Sequence, residues 1–283
     1  MSPSANEPVA PRPARTLSTG QMSLVQHLFE LRSRLAKSLV AITLAAIVVF
    51  WQWQPVLDFL RMPFCHTRIG RQHCDLIAIG IFDQFKVRLR VGFIGGVLVA
   101  SPVWLYQIGA FITPALHRKE RRYAASFLAG SLTFFLIGAS LAYVTVDRGL
   151  DFLFGVGGSS VNQIVTLQDY LSFVTLCLVA FGIAFEFPVV IMFLHVVGVL
   201  PSTRMRSMRR GMIMALFVGS AVLTPSQDPI TFMAMALPLC LLYEVCILIA
   251  RFRERRRRGG ADGLPADLAD DQPSALDVTP STL

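Results

Sequence analysis

Residues 180–194 read AFGIAFEFPVVIMFL, and every side chain in that stretch except Glu186 is apolar or glycine. A carboxylate buried in such a run costs on the order of several kcal/mol unless it is protonated, paired or facing water. Glu186 is therefore a functional candidate, and the solvent around it has to be settled first. Hydrophobic residues make up 54% of the 283, and mean hydropathy is +0.57. Both values exceed those of ordinary soluble domains and suit a polytopic membrane protein.

Apolar runs able to approach the roughly 30 Å of a bilayer core occupy 36–53, 91–113, 123–146, 170–200, 211–223 and 230–250. The pattern predicts an all-α membrane protein of six transmembrane helices, the fifth and sixth short. The fifth run would rise only about 20 Å as a helix. Residues 224–229, TPSQDP, then turn the chain straight back.

The net charge of +8 arrives in clusters between these runs, the distribution of orientation signals rather than of a nucleic-acid surface. Arg12, Arg15, Arg32, Arg34 and Lys37 precede the first run. Arg118, Lys119, Arg121 and Arg122 separate the second from the third, and Arg204, Arg206, Arg209 and Arg210 the fourth from the fifth. Arg251, Arg253 and four arginines at 255–258 follow the sixth. Both termini are accordingly expected in the cytoplasm. Lys86, Arg88 and Arg90 run against the rule and should snorkel or line a polar outer surface.

Three parts are expected: a disordered tail over 1–20, a membrane domain over 21–254 and a second disordered tail over 255–283. The first run starts too late and is too long for a secretory signal peptide. Cys177, Cys240 and Cys246 fall inside spans as packing residues, whereas Cys65 and Cys74 share an outer loop where a disulfide can form. A zinc site is the weaker reading of that pair, because the spacing to His66 and His73 matches no familiar pattern. No metal or cofactor is expected.

Two further stretches carry chemistry. In QHLFELRSRLAKSL, residues 26–39, Leu28, Leu31 and Leu35 share one helical face while Glu30, Arg34 and Lys37 mark the polar side. This is an amphipathic helix running into the membrane, and Glu30 could simply pair with Arg34 at i, i+4. In SPVWLYQIGAFITPALHRKERR, residues 101–122, one acid, Glu120, stands among cations, and Pro102 and Pro114 should bend the end of the second span.

HLFELRSRL, YQIGAFITPALHRKERR, FGIAFEFPVV and ALPLCLLYE, in this order on six apolar runs, resemble the TatC family, the polytopic subunit of the twin-arginine (Sec-independent) protein translocase. The resemblance covers roughly residues 22–252. It implies a receptor for signal peptides bearing paired arginines, no enzyme, working in the inner (cytoplasmic) membrane on folded precursors with the proton-motive force. Single-span TatA/TatB-type subunits and further copies of the chain would be its partners, with lipid and without nucleic acid. By match to the family's motifs, Glu30 and Glu120 would meet the two arginines, with Arg32, Leu35 and Phe111 shaping the site. The six helices would form a concave bundle, with Glu186 a polar group facing its concave inner side and Asp228 the partner-contact acid of the outer hairpin. Phe232 stands where a glutamine is common, and AYVTVDRG, residues 142–149, lacks a proline often found at that outer turn.

The alternative is a small ion-coupled secondary transporter with Glu186 as its ion or proton site, which would be expected to show paired half-repeats. An intramembrane hydrolase is disfavoured. His195 has no acidic partner at helical spacing and lies in no HExxH or GxSxG context, and FGVGGSS, residues 154–160, lacks the lysine of a phosphate loop.

Overall fold

The computed structural model describes residues 24–71, 74, 76–112, 121–156, 165–224 and 228–261. Among them ten helices and no strand occur, in the order α1 (Leu24–Trp51), α2 (Trp53–His66), α3 (Asp83–Val99), α4 (Ser101–Ile112), α5 (Arg121–Val156), α6 (Leu167–Ala184), α7 (Glu186–Val196), α8 (Ser202–Ser207), α9 (Arg209–Leu223) and α10 (Pro229–Ala261). Among the described residues four stretches are long and apolar enough to cross a membrane: His27–Trp51, Phe127–Val156, Leu167–Val196 and Pro229–Arg256. The bent pair of α3 and α4 makes a fifth.

The expected second span is thus two helices meeting at 54°. Pro102 has no N–H for the Leu98 carbonyl, so the helix cannot run straight through. Ala100 N–H still closes onto the Gly96 carbonyl at 2.9 Å, and the Trp104 indole N–H takes the Val97 carbonyl at 3.0 Å. A bend therefore leaves few backbone groups unserved in lipid.

The fifth run falls on α9, whose 15 residues rise about 22 Å, short of the hydrocarbon thickness. The sixth run differs from expectation. It belongs to a span of 28 residues within a helix of 33, because nothing helix-breaking interrupts the chain between Pro238 and the arginines, whose side chains can reach water from a helix end. The boundary expected at 255 consequently lies inside α10, while the tails over 1–20 and 262–283 fall outside the described residues. Likewise α5 runs on past 146 to Val156. Without a proline at 142–149 the helix continues, and Asp151 accepts the Arg68 backbone N–H at 2.7 Å.

The segment expected as a plain outer loop contains α2. Leu57, Leu60 and Phe64 are its buried face, at i, i+3 and i+7. Tyr170 on α6 donates its hydroxyl to the Leu60 carbonyl at 2.6 Å, and Cys65 and Cys74 are joined as a disulfide with Cα atoms 5.0 Å apart. Lys86 stands 3.7 Å from Asp83. Arg88 lies over the Phe50 and Trp53 rings at 5.0 and 5.2 Å, and Arg90 donates to the Gln168 carbonyl at 3.2 Å and to the Ser172 hydroxyl. Arg88 and Arg90 are thus partnered where they are half-buried, while Lys86 stays exposed beside Asp83.

The core gathers on α6, where Val174, Cys177 and Phe181 pack with Ala142 and Val146 of α5, Val91 of α3 and Met235 and Tyr243 of α10. Tyr243 donates its hydroxyl to the Met205 carbonyl at 2.9 Å, tying α10 to α8. The approach of α1 to α3 is closest at Gly96, where a Cβ would stand 2.6 Å from the Ala46 backbone, and Gly92 sits one turn earlier against Phe50. Small residues four apart are the usual device for bringing helix backbones together in lipid.

Candidate functional site

Where α1 rises beside α4, the two helices leave a groove of about 200 Å³ between Leu31, Arg34, Leu35, Ser38, Trp104 and Phe111. Leu31 and Leu35 of the leucine face form part of one wall, and the stretch after the Pro102 bend brings Trp104 and Phe111 to the other. Trp104 is held by its bond to Val97 and by an edge contact with Phe135 at 5.3 Å. His27 stacks on Phe111 at 4.4 Å and ties the start of α1 to the end of α4.

Glu30 reaches this groove through Arg34. Both Nε and Nη2 of Arg34 donate to Glu30 Oε1, at 2.9 and 2.6 Å, so the local i, i+4 pair is made. The second carboxylate oxygen is not used in that pair and can accept a further guanidinium. Among the expected residues the structure brings Leu35 and Phe111 together in the groove, and Glu30 is linked to it through its pair with Arg34. Arg32 is exposed and does not line the groove, and Glu120 lies outside the described residues. Arg34 and His27 join the site. Spacing could have flagged both, since positions 27, 30 and 34 lie on one helical face.

The second polar feature lies within the membrane. Pro188 cannot donate to the Ala184 carbonyl, the helix breaks at Phe185, and Glu186 opens α7. There Glu186 Oε2 accepts the Ser131 hydroxyl of α5, while Oε1 is buried with no hydrogen-bond partner among the described residues. Nothing in the sequence pointed to Ser131, because serine is common in membrane helices and the pair is remote along the chain.

Asp228 is buried and caps the helix that follows it. Its Oδ1 accepts the Thr231 N–H at 2.7 Å, an N-cap with proline following at the first helical position. Phe232 packs edge-on against Phe217 at 5.8 Å, joining α9 to α10. His195 sits at the other end of the bundle, with Nδ1 3.0 Å from the Leu200 carbonyl. Among the described residues no group of three or more metal-ligating side chains converges.

A family model described as Sec-independent protein translocase protein (TatC) matches residues 26–238. The Sec-independent protein translocase protein TatC of Frankia casuarinae is 41% identical over 276 residues, covering 94% of this chain and 76% of that protein. Its counterpart from Aquifex aeolicus is 36% identical over 244 residues, covering 84% of this chain and 98% of the relative. Among solved structures, a crystal structure of the twin arginine translocase receptor TatC in DDM matches with a TM-score of 0.68 at 34% identity, over 79% of this chain and 99% of that one. On this likeness of sequence and fold, the chain belongs to the TatC family, the multi-pass membrane subunits of the twin-arginine protein translocase.

Proposed function

We propose that this chain is the signal-peptide receptor and core subunit of the translocase, and that the groove between α1 and α4 receives the signal peptide. The observation that carries this reading is the pairing of a carboxylate, Glu30, with Arg34 at the wall of a groove lined mainly by apolar side chains, Leu35 and Phe111 among them. A twin-arginine signal is a pair of guanidinium groups followed by an apolar segment, and that combination complements an acid at the rim of an apolar slot. Guanidinium stays charged and forks onto a carboxylate, so two separated acids, Glu30 and Glu120, select arginines over lysines. Arg32 would steer orientation from the exposed side of α1.

In this reading the protein crosses the inner membrane six times with both termini in the cytoplasm, the short α9 completing the count as a thinned or shielded crossing. It works with TatA/TatB-type subunits and with other copies of itself, and exports folded precursors by drawing on the proton-motive force. Glu186 serves as an intramembrane polar contact, and Asp228 sets the outer hairpin for a partner. The ion-coupled transporter alternative is not favoured, since the family match spans the segments that would carry it.

The test is crosslinking in membranes with a twin-arginine signal peptide bearing a photoreactive group beside its arginines. Labelling on residues flanking Glu30 or Glu120 is the expected result. Labelling confined to α9 and α10, or none at all, overturns the reading.

A further inference from the structure

On another side of the bundle α5, α7 and α10 enclose a second groove, of about 260 Å³. Gly130, Phe134, Met192, Val245 and Ile249 are among the apolar residues that line it, and Arg253 alone brings charge to it. Gly130 opens it: a Cβ at that position would meet nothing within 4 Å. The candidate span ends at Arg256, which puts Arg253 in its last turn, at headgroup depth. Arg253 makes no ion pair among the described residues.

At Arg253 and Val196 the groove adjoins a smaller cavity of about 140 Å³ bordered by His195, Gly198, Pro201 and Glu254. The Glu254 carboxylate accepts the Ser202 backbone N–H at 2.8 Å and the Ser202 hydroxyl, so it caps α8. Arg204, Arg206, Arg251 and Arg255 lie on the same helices within two turns of these groups. The surroundings are therefore strongly cationic.

We propose that this groove holds one acyl chain of an anionic glycerophospholipid, with its phosphate on Arg253. The groove is apolar along its walls and cationic only at Arg253, at its headgroup-level end, which is the order of polarity along a single lipid molecule. Free phosphate would use the arginine but leave the apolar walls without purpose. A bilayer lipid uses both, and a basic pocket at the end of membrane helices favours a net negative headgroup.

The experiment uses the full chain purified in detergent, with retained phospholipid measured by native mass spectrometry and thermal shift measured on adding phosphatidylglycerol, phosphatidylcholine or inorganic phosphate. Wild type should retain phosphatidylglycerol and melt higher with it than with phosphatidylcholine, and inorganic phosphate should do neither. Arg253→Gln should weaken phosphatidylglycerol by about fivefold and remove the preference. Gly130→Leu, which fills the groove, should lose both lipids, and Gly130→Ala should keep both and show that the helix tolerates a side chain there. The proposal is overturned if Gly130→Leu and Arg253→Gln retain phosphatidylglycerol as wild type does. It is equally overturned if inorganic phosphate stabilises as well as the lipid, or if Gly130→Leu loses a co-purifying single-span subunit and no lipid.

Discussion

Ser131 on α5 donates its hydroxyl to Glu186 Oε2 on α7, linking two membrane-crossing helices 55 residues apart in sequence. The other oxygen, Oε1, is buried and unserved among the described residues. If this contact is what Glu186 contributes, Glu186→Gln should keep most export, since the amide oxygen still accepts from Ser131. Glu186→Ala and Ser131→Ala should each lose much of it. The double alanine variant should then be no worse than Glu186→Ala alone, as coupled partners require. Export of a twin-arginine reporter reads all four, and equal, complete loss in Gln and Ala would point instead to a titrating role.

The Glu30–Arg34 pair supplies an internal competitor for any incoming guanidinium. Its i, i+4 geometry and partial exposure make it worth only a few tenths of a kcal/mol, so Arg34→Gln should tighten Arg-Arg signal binding by about twofold. Glu30→Gln should weaken it ten- to a hundredfold, roughly the 1.5–3 kcal/mol of a charge-assisted hydrogen bond. Glu120→Gln should behave like Glu30→Gln. Binding of Arg-Arg and Lys-Lys peptides to the three variants decides, and an unchanged arginine preference in both glutamate variants reduces the acids to local charge neutralisers.

Cys65 and Cys74 close a short loop, nine residues apart. Alkylation of intact cells should leave both unmodified until a reductant is added. Replacing them together by serine should cost no more than about 3 kcal/mol, because a short loop retains little entropy to lose. Reaction of either thiol without reductant would remove the bond from the account.

Gly96 and Gly130 make a matched pair of substitutions. A Cβ at Gly96 would stand 2.6 Å from the Ala46 backbone, whereas one at Gly130 meets open space. Gly96→Val should force α1 and α3 apart and lower the melting temperature, at a cost of about 1–3 kcal/mol. Gly130→Ala should be neutral or slightly stabilising through helix propensity. Thermal unfolding of the two in the same detergent checks both directions.

Asp228 caps α10 from a buried position through the Thr231 N–H. Asp228→Ala should destabilise the hairpin by about 1 kcal/mol or more, and Asp228→Asn, whose side-chain oxygen still accepts, should be much milder. Protease sensitivity of the α9–α10 hairpin is the readout. Equal sensitivity in the two variants would show that charge, not capping, is what the position needs.

Much of this protein follows from short-range pattern. Apolar runs and basic clusters specify a helical membrane chain, because lipid leaves the backbone no alternative to helices at these lengths. Pro102 and Pro188 mark their breaks through a missing N–H, and the Glu30–Arg34 pair is a matter of helical spacing alone. What the sequence left open is how faces meet. Ser131 against Glu186, Phe111 across from Leu35, α1 against α3 at Gly96 and the buried face of α2 each depend on residues far apart in the chain. In water an apolar stripe betrays the face a helix will bury. In a bilayer the lipid-facing surface is as apolar as the packed one, so that signal is erased, and only the close fit of side chains in three dimensions decides which surfaces pair and which remain as grooves.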